Sequence, residues 1–365
     1  MEIVKELKDI SWQVPEETYR ADPALSYSTL ARYEREGFNK LDHLFDKIST
    51  QSLLEGSMVD CLITGSKEEF NEQYFVADFP SIGEKEQQIA DMLYERYHGS
   101  CEIFSYIPSD AILAVINEVG WQKNWRDETR VRVISERTAM YYNLKTQAGS
   151  KTVVDRPTYD RVINMVSALK TSPATKGYFA DNDPLSPIRR YYQLKFKAKF
   201  EGVNYRVMMD LVVVDYEEKK IIPIDLKTSG SHEWDFQHSF EKWSYMIQAM
   251  LYWRVLKANL MNDPYFKDFT LENYRFIVVN KESLIPLVWE FPLTKIIGTL
   301  VDKDGNEYRD PFEIGKELQS YLNFRPQVPK GIDKDGINII DCLKLKEKVQ
   351  KDDYDSVLDA PWRKQ

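Results

Sequence analysis

Two aspartates stand inside runs of the sequence that are otherwise almost entirely apolar. Asp210 interrupts the run VMMDLVVV, and Asp225 interrupts IIPIDL and is followed two residues later by Lys227. A carboxylate in such surroundings costs several kcal/mol unless a cation or a hydrogen-bond donor compensates it. Carboxylates that converge suit a hard divalent cation such as Mg²⁺, and a nearby amine can hold or deprotonate a metal-bound water. Because metal charge offsets negative charge growing on a phosphate, these residue types point to phosphodiester hydrolysis.

These residues can meet only if they lie on neighbouring strands. Three runs rich in β-branched and aromatic residues begin at Ile188 and predict an antiparallel meander with turns at 201–202 and 216–219. Because strand side chains alternate between the two faces, Asp225 and Lys227 are predicted to share a face of the third strand. On the second strand the same rule predicts one face with Arg206, Met208, Asp210, Val212 and Val214, and an opposite face with Val207, Met209, Leu211 and Val213.

Helical periodicity dominates the first half of the chain. Hydroxyl residues at Ser26 and Ser28 and a glycine at Gly37 predict a helix over 26–36. Further helices are predicted near 49–62, 84–98, 127–145, 157–170, 236–256 and 311–322, and further strands near 274–280 and 285–291. The expected fold class is therefore α/β (mixed), with a central twisted mixed sheet, an antiparallel meander flanked by helices, and a helical N-terminal region.

The order of Asp210 and then Asp225-Leu226-Lys227 across a hairpin resembles the signature of the PD-(D/E)XK nuclease superfamily, an acid followed by (D/E)-x-K. The resemblance implies a restriction-endonuclease-like core. It also implies that Asp210, Asp225 and the Leu226 carbonyl hold Mg²⁺, with Mn²⁺ as a substitute. In that arrangement Lys227 positions the attacking water. A lone D-x-K at a strand end is otherwise a solvated tip or a surface ion pair.

The helix that follows the signature strengthens the resemblance. Tyr245, Gln248 and Tyr252 are similar to the Gln-x-x-x-Tyr element of the exonuclease VIII, RecB-like and CRISPR-adaptation branches. A rotation of about 100° per residue predicts that these three share one stripe of the helix with Glu241. The family pattern implies that Gln248 and Tyr252 orient the scissile strand and that Tyr245 contacts nucleic acid. Packing or capping is the alternative role for Gln248 and Tyr252.

A second resemblance lies upstream. The segments LSYSTLARYE and LLEGSMVDCLITGSKEEFNEQYFV are similar to the N-terminal part of exonuclease VIII-type phage and prophage nucleases, and the whole resemblance covers residues 25–292. In that family a metal-ligating His follows a Gly by four positions, whereas here Asp60 follows Gly56. Aspartate is a competent ligand for a hard metal, so the resemblance implies that Asp60 ligates the metal in place of the histidine. Gln193 lies where related nucleases often carry a Glu, and it could orient water or metal without supplying charge.

Several polar residues are candidates for contact with a DNA backbone. Related exonucleases place donors for a terminal 5′-phosphate near the N-terminal helix, where Ser28 and Arg32 lie one turn apart. A solvated helix face explains the same two residues. Basic residues also alternate with aromatic ones on the first predicted strand, which suits either a phosphate backbone or a half-exposed strand. These basic residues are Arg189, Arg190, Lys195, Lys197 and Lys199.

The resemblance implies a metal-dependent deoxyribonuclease, and specifically an exonuclease on linear double-stranded DNA in phage-type recombination or DNA processing. The alternatives are a structure-specific or nicking endonuclease of the same fold, and a catalytically silent DNA-binding or assembly protein. The substituted Asp60 and Gln193 favour the silent protein, whereas the intact Asp210, Asp225 and Lys227 argue against it. Related exonucleases further imply a homo-oligomeric ring and a single-strand annealing partner protein.

Composition narrows the remaining possibilities. With 49 basic and 58 acidic residues, the net charge of −9 argues against a wholly basic, histone-like surface. The N-terminus lacks the apolar segment of a signal peptide, and no apolar run approaches the roughly 20 residues of a membrane span. We therefore expect a cytoplasmic protein of a bacterium or a phage-infected host cell, without a membrane partner. Three cysteines are too few to hold an all-cysteine iron–sulfur cluster, so none is expected. The sequence has no phosphate-loop motif, so we do not expect ATP as a cofactor.

The chain shows no repeat or Gly/Ser linker, and its organisation is predicted from the change in periodicity alone. A mostly helical region over 1–187 is expected to form one wall of a cleft. The nuclease core is expected over 188–292. An accessory region, Asp/Lys-rich towards its end, is expected over 293–365.

Overall fold

The computed structural model describes residues 5–46, 50–301, 305 and 307–324. Its helices are α1 Glu16–Ala21, α2 Tyr27–Glu36, α3 Gln51–Thr64, α4 Lys67–Gln73, α5 Glu84–Tyr97, α6 Ser109–Val119, α7 Asp127–Ala148, α8 Arg156–Thr171, α9 Phe236–Lys242, α10 Tyr245–Met261, α11 Leu293–Ile296 and α12 Pro311–Phe324. Its strands are β1 Tyr74–Ala77, β2 Thr152–Asp155, β3 Ile188–Phe200, β4 Val203–Asp215, β5 Lys220–Ser229, β6 Thr270–Leu271, β7 Tyr274–Asn280, β8 Pro286–Phe291, β9 Leu300–Val301 and β10 Glu307–Tyr308.

The central sheet is mixed, and its strand order is β3-β4-β5-β7-β8, with the short β6 beside β5. The first three strands form the predicted antiparallel meander. β7 then runs parallel to β5, and β8 returns antiparallel to β7. This topology confirms the predicted α/β (mixed) class and the meander that carries the two aspartates.

Helices cover both faces of this sheet. On one face α10 packs on β3 and β4, and its apolar residues join α2 and α12 in one cluster with Tyr205 and Phe276. On the other face α3 and α8 pack against Leu211 and Ile277. Burial of these apolar side chains, at about 25 cal/mol per Å², is the main favourable contribution to the stability of the layers. Two helices, α3 and α10, therefore approach the same strands from opposite sides.

The helices α5, α6 and α7 form a separate apolar cluster around Ile89, Trp121 and Tyr142. Two short strands that the sequence patterns did not indicate, β1 and β2, pair in parallel near this cluster. The N-terminal segment also joins the meander, because Leu25 bridges to Tyr205. No helix among the described residues is long and apolar enough to cross a bilayer. The tail beyond residue 324 and Cys342 lie outside the described residues.

The prediction of one helix over 236–256 is wrong, because the helix is interrupted between α9 and α10. Ser244 has a φ of +57°, which a right-handed helix cannot accommodate. The carbonyl oxygen of Trp243 accepts a hydrogen bond from the hydroxyl of Tyr27 at 2.8 Å. Glu241 consequently lies on α9 and not in one helical stripe with Tyr245 and Gln248.

The predicted alternation along β4 is also wrong, because the strand changes phase at Asp210. Met209 joins the apolar cluster of Val212 and Val214, whereas Leu211 lies in the opposite cluster. β3 changes phase at Gln193, which has a φ of +54°. The register of the two strands is the same on both sides of this point, and it would place Gln193 opposite Asp210, a pair that is missing from the ladder. In both strands, the side chains therefore change faces at the same cross-strand position, and the alternation predicted from the sequence is interrupted there.

Candidate active site

The central strands separate at the position of the two aspartates. The β4–β5 pairing ends at Leu211 opposite Ile224, and the same register would place Asp210 opposite Asp225. Instead, Asp210 Oδ2 accepts a hydrogen bond from the backbone amide of Leu226 at 2.9 Å. β5 keeps its pairing with β7 beyond this point. The side chain of Asp210 thus replaces a ladder hydrogen bond, and two carboxylates lie where the sheet opens.

Asp225 lies at the bottom of this opening and is 1% exposed. The amide Nε2 of Gln248 donates a hydrogen bond to Asp225 Oδ1. Lys227 Nζ lies 2.6 Å from Asp225 Oδ2 as an ion pair. The geometry of this contact is not that of a hydrogen bond, and Oδ2 is a buried oxygen with no hydrogen-bond donor. Asp225 therefore has one oxygen fixed by α10 and one that faces only the charge of the lysine.

Lys227 is a cation held against this acid. Although burial by itself lowers the pKa of Lys227, the attraction of Asp225 raises it above its ordinary value. The amine also lies 4.8 Å from the centroid of the Tyr245 ring, at a cation–π distance. Lys227 consequently stays protonated over the physiological pH range, and it acts as a hydrogen-bond donor and a positive charge.

Asp210 carries a strongly perturbed carboxyl group. Burial raises its pKa well above the ordinary value, and the negative charges of Asp225 and then of Asp60 raise it further. Lys227 and the Leu226 amide act in the opposite direction. The charges of Asp60, Asp210 and Asp225 therefore oppose one another, and carboxyl groups perturbed in this way are common at functional sites.

Asp60 reaches the site from α3 on the other face of the sheet. Its Oδ2 accepts a hydrogen bond from Gln193 Nε2 at 2.5 Å, and its buried Oδ1 has no donor. Burial and the charge of Asp225 raise the pKa of Asp60 to about 7. Gly56, one turn earlier on α3, lies beside Thr228 of β5. The phase change at Gln193 thus aims its amide at Asp60.

The helix α10 supplies two further side chains from the predicted set. Gln248 is 4% exposed, and its Oε1 is a buried oxygen without a donor. Tyr252, one turn later, is buried beside Tyr274, with ring centroids 6.4 Å apart. Burial raises the pKa of the Tyr252 phenol, so it stays protonated. Both residues therefore lie in the interior on the same helix as Tyr245.

The predicted phosphate-binding residues of α2 have internal partners. The guanidinium of Arg32 donates to Glu36 of its own helix and to the carbonyl oxygens of Leu44 and Asp46. Ser28 Oγ lies 2.9 Å from Ser26 Oγ. On this geometry Arg32 fixes the segment that follows α2.

Most of the basic residues of β3 are likewise held by internal partners. Arg189 and Arg190 donate to backbone carbonyls between 177 and 188. Lys195 donates to the carbonyl of Val14, and Lys197 is ion-paired with Asp22. These contacts favour the half-exposed strand over a basic track for DNA.

Two residues near the site were not singled out from the sequence. The charge of Glu16 on α1 contributes to the raised pKa of Asp60. Tyr27 lies beside Tyr245, with ring centroids 6.3 Å apart. Burial raises the pKa of the Tyr27 phenol, and the charge of Lys227 opposes this shift. Both are brought in by contacts between distant parts of the chain, which no local spacing reveals.

The oxygens at the opening can be tested against the needs of a metal ion. Asp60 Oδ1 is buried without a donor and requires a cation or a proton, whereas Asp225 Oδ2 already lies 2.6 Å from the Lys227 amine. No group of three or more His, Cys, Asp or Glu side chains among the described residues is arranged as a ready metal cage. Asp60 and Asp225 are instead turned towards Gln193 and Lys227. The neighbouring carboxylates of Asp60, Asp210 and Asp225 are nevertheless the type of oxygen donor that a hard cation prefers.

No known protein family matches the sequence, and no curated protein does. Among solved structures, the chain is similar to the crystal structure of a "putative exonuclease" from Eubacterium rectale, with a TM-score of 0.41 and 11% sequence identity. The similarity covers 86% of this chain and 85% of that chain. At this level of similarity, the function of the chain has to be inferred from its own residues.

Proposed function

We propose that the protein is a metal-dependent deoxyribonuclease of the PD-(D/E)XK type. The observation that carries the proposal is the convergence of Asp210, Asp225 and Lys227 where β4 and β5 separate. Gln248 of the following helix holds one oxygen of Asp225 in place. Nucleases with this signature need two acids and an amine from neighbouring strands, and the positions of Asp210, Asp225 and Lys227 on β4 and β5 support that role.

The metal proposed for the site is Mg²⁺, with Mn²⁺ as a substitute. Asp210, Asp225 and the Leu226 carbonyl would hold it, and Asp60 would contribute from α3. When bound, such an ion neutralises charge on a phosphate and makes a bound water more acidic. The buried Oδ1 of Asp60, which has no donor, supports this assignment.

The side chains of the chain itself would position the reacting groups. Because its pKa is raised, Lys227 keeps its proton at Nζ, so it would orient the attacking water by donation and oppose the charge on the phosphate. Gln248 would keep Asp225 oriented, and the phenol of Tyr252 would donate to the scissile strand. Proton removal from the water would then fall to a group other than Lys227.

The substrate is proposed from the sequence resemblance. It supports an exonuclease that degrades linear double-stranded DNA in phage-type recombination or DNA processing. The same resemblance supports a ring of identical subunits and a single-strand annealing partner protein. A DNA-binding protein without turnover is the second candidate, favoured by the pairing of Asp60 with Gln193 in place of a ready metal cage.

The test compares linear and circular duplex DNA in Mg²⁺, Mn²⁺ and EDTA. We expect nucleotides to be released from the linear form only, with metal. Asp225→Asn should lower the rate by about 10³-fold or more, whereas Glu217→Gln, at the exposed β4–β5 turn, should not change it. Nicking of circles would indicate an endonuclease, and binding without metal-dependent cleavage would refute the nuclease and indicate the silent protein.

A further inference from the structure

Two tryptophans are exposed at the edge of the candidate active site. Trp234, in a single helical turn between β5 and α9, is 69% exposed, and Trp243, at the break between α9 and α10, is 43% exposed. Exposure by itself is not diagnostic, because Trp125 between α6 and α7 is 44% exposed. The position of Trp234 and Trp243 relative to the catalytic groups distinguishes them from Trp125.

Each of the two tryptophans lies two residues before an aromatic residue of one stacked pair, and Tyr245 of that pair contacts Lys227. Trp234 precedes Phe236 and Trp243 precedes Tyr245, and the two latter rings stack with centroids 6.0 Å apart. The amine of Lys227 lies 4.8 Å from the Tyr245 ring centroid. Since two residues span at most about 7 Å of backbone, the Cα atoms of Trp234 and Trp243 lie within about 7 Å of those of Phe236 and Tyr245, respectively.

The two indoles present flat rings, and basic side chains lie beside one of them. The ring of His232 stacks on Trp234 with centroids 4.6 Å apart and planes 4° from parallel, and both side chains are exposed. Near Trp243, the Arg35 guanidinium lies 5.6 Å and the Lys242 amine 5.2 Å from the ring centroid. These five residues are called the aromatic surface below.

We propose that the aromatic surface binds the unpaired bases of a single DNA strand by stacking, while Arg35 and Lys242 meet its phosphates. Base–aromatic stacking tolerates any sequence, because every base has a π-face. The inference rests on the proposed nuclease function, and it assigns the strand that adjoins the cleavage site to an unpaired conformation.

A duplex fits the aromatic surface less well. The base faces of a duplex are covered by their neighbours, so its binding depends on phosphate contacts. The cations at the aromatic surface are offset by the exposed acids Asp235 and Glu241. Most basic residues of β3 have internal partners. Stacking on exposed rings is therefore the larger source of affinity at this surface.

The test measures binding of a fluorescent thymidine oligonucleotide to the full chain in EDTA, which prevents metal-dependent cleavage. We expect Trp234→Ala and Trp243→Ala each to raise the Kd for the single strand by about tenfold, with a much smaller change for a blunt duplex. Trp243→Phe should recover most of the affinity, since a ring is retained. Trp125→Ala is the matched control, and its Kd should equal that of the wild type.

Two readouts separate this inference from the proposed function. If both alanine variants keep the wild-type unfolding temperature and the wild-type Kd, the aromatic surface is refuted. If the alanine variants are unchanged in this way but the wild type cleaves DNA in the presence of metal, the nuclease proposal stands without the surface. If binding depends on the tryptophans and no metal-dependent cleavage occurs, the surface stands and the nuclease proposal fails.

Discussion

At the scale of single residues, the candidate site is a cluster of acids whose charges oppose one another. Asp225 is paired with Lys227, whereas Asp60 and Asp210 are left with raised pKa values because of burial and the charge of Asp225. Without a metal, Asp60 and Asp210 therefore tend to hold protons in the folded protein. This protonation makes the stability of the metal-free protein depend on pH.

Asp60→Asn should reveal this dependence. The pKa of Asp60 is about 7 in the folded protein and near its ordinary value when unfolded, so between these values only the folded state holds the proton. The free energy of unfolding therefore falls as pH rises towards 7, and asparagine removes that loss. In EDTA, we expect the stability of Asp60→Asn relative to wild type to increase by on the order of 2 kcal/mol from about pH 5 to about pH 8. An equal difference at both pH values, measured by urea unfolding, would contradict the assignment.

Gln248→Leu tests the contact that fixes Asp225. Leucine is close in size but cannot donate, so Asp225 Oδ1 becomes a buried acceptor without a donor. We expect the free energy of unfolding to fall by about 1–3 kcal/mol. Gln237→Leu, on the exposed side of α9, is the control and should change stability by no more than about 0.5 kcal/mol. Equal effects of the two substitutions, measured by urea unfolding, would show that the Gln248–Asp225 hydrogen bond is not stabilising.

At the scale of elements, the sequence predicts the strands and helices better than the way they present side chains. The meander, β7, β8 and most helices follow from runs and periodicity, and so does the placement of Asp225 and Lys227 on one strand. The change of phase at Gln193 and Asp210 does not follow, because alternation assumes a regular strand. The break at Ser244 is also hidden, since serine at positive φ has no distinctive sequence signal. Both irregularities are set by contacts across the fold, with Asp60 and with Tyr27.

Substitutions at Gln193 test the irregular backbone of β3. A β-branched residue is strained at a φ of +54°, whereas glycine is not. Both Gln193→Val and Gln193→Gly lose the hydrogen bond to Asp60, so this bond does not contribute to their difference in stability. We expect the glycine variant to be more stable than the valine variant by about 1–2 kcal/mol.

Lys199, exposed near the end of the same strand, is the control for this comparison. It lies in the regular β3–β4 pairing, where valine favours a strand and glycine weakens it. The order should therefore reverse, with Lys199→Val more stable than Lys199→Gly by about 0.5–1 kcal/mol in urea unfolding. The same order at both positions would mean that Gln193 is not held in the left-handed region.

At the scale of the whole molecule, the site exists only if α3 is docked correctly on the sheet. Residues from distant parts of the chain hold that helix. Glu55 of α3 is 4% exposed and is ion-paired with Arg161 of α8 at 2.8 Å and with Lys281, after β7, at 2.7 Å. Although burial opposes its charge, these two cations lower the pKa of Glu55. Since Asp60 lies on the same helix, this network positions the acid that α3 brings to the site.

Glu55→Gln should therefore affect both stability and catalysis. Removing the charge leaves the largely buried amine of Lys281 without its anion, and we expect the free energy of unfolding to fall by about 2–3 kcal/mol. This cost is smaller than that of breaking a fully buried pair, because Arg161 is partly solvated. The lowered pKa means that this stabilisation is present above the ordinary Glu value and is lost as pH falls, so the cost should shrink in acid. Glu136→Gln, which breaks an exposed α7 ion pair with Arg132, should cost about 0.5 kcal/mol or less. Urea unfolding measures both variants, and DNA cleavage at a temperature where each is folded should decline for Glu55→Gln only. Normal cleavage by that variant would show that α3 holds Asp60 in place without the Glu55 network.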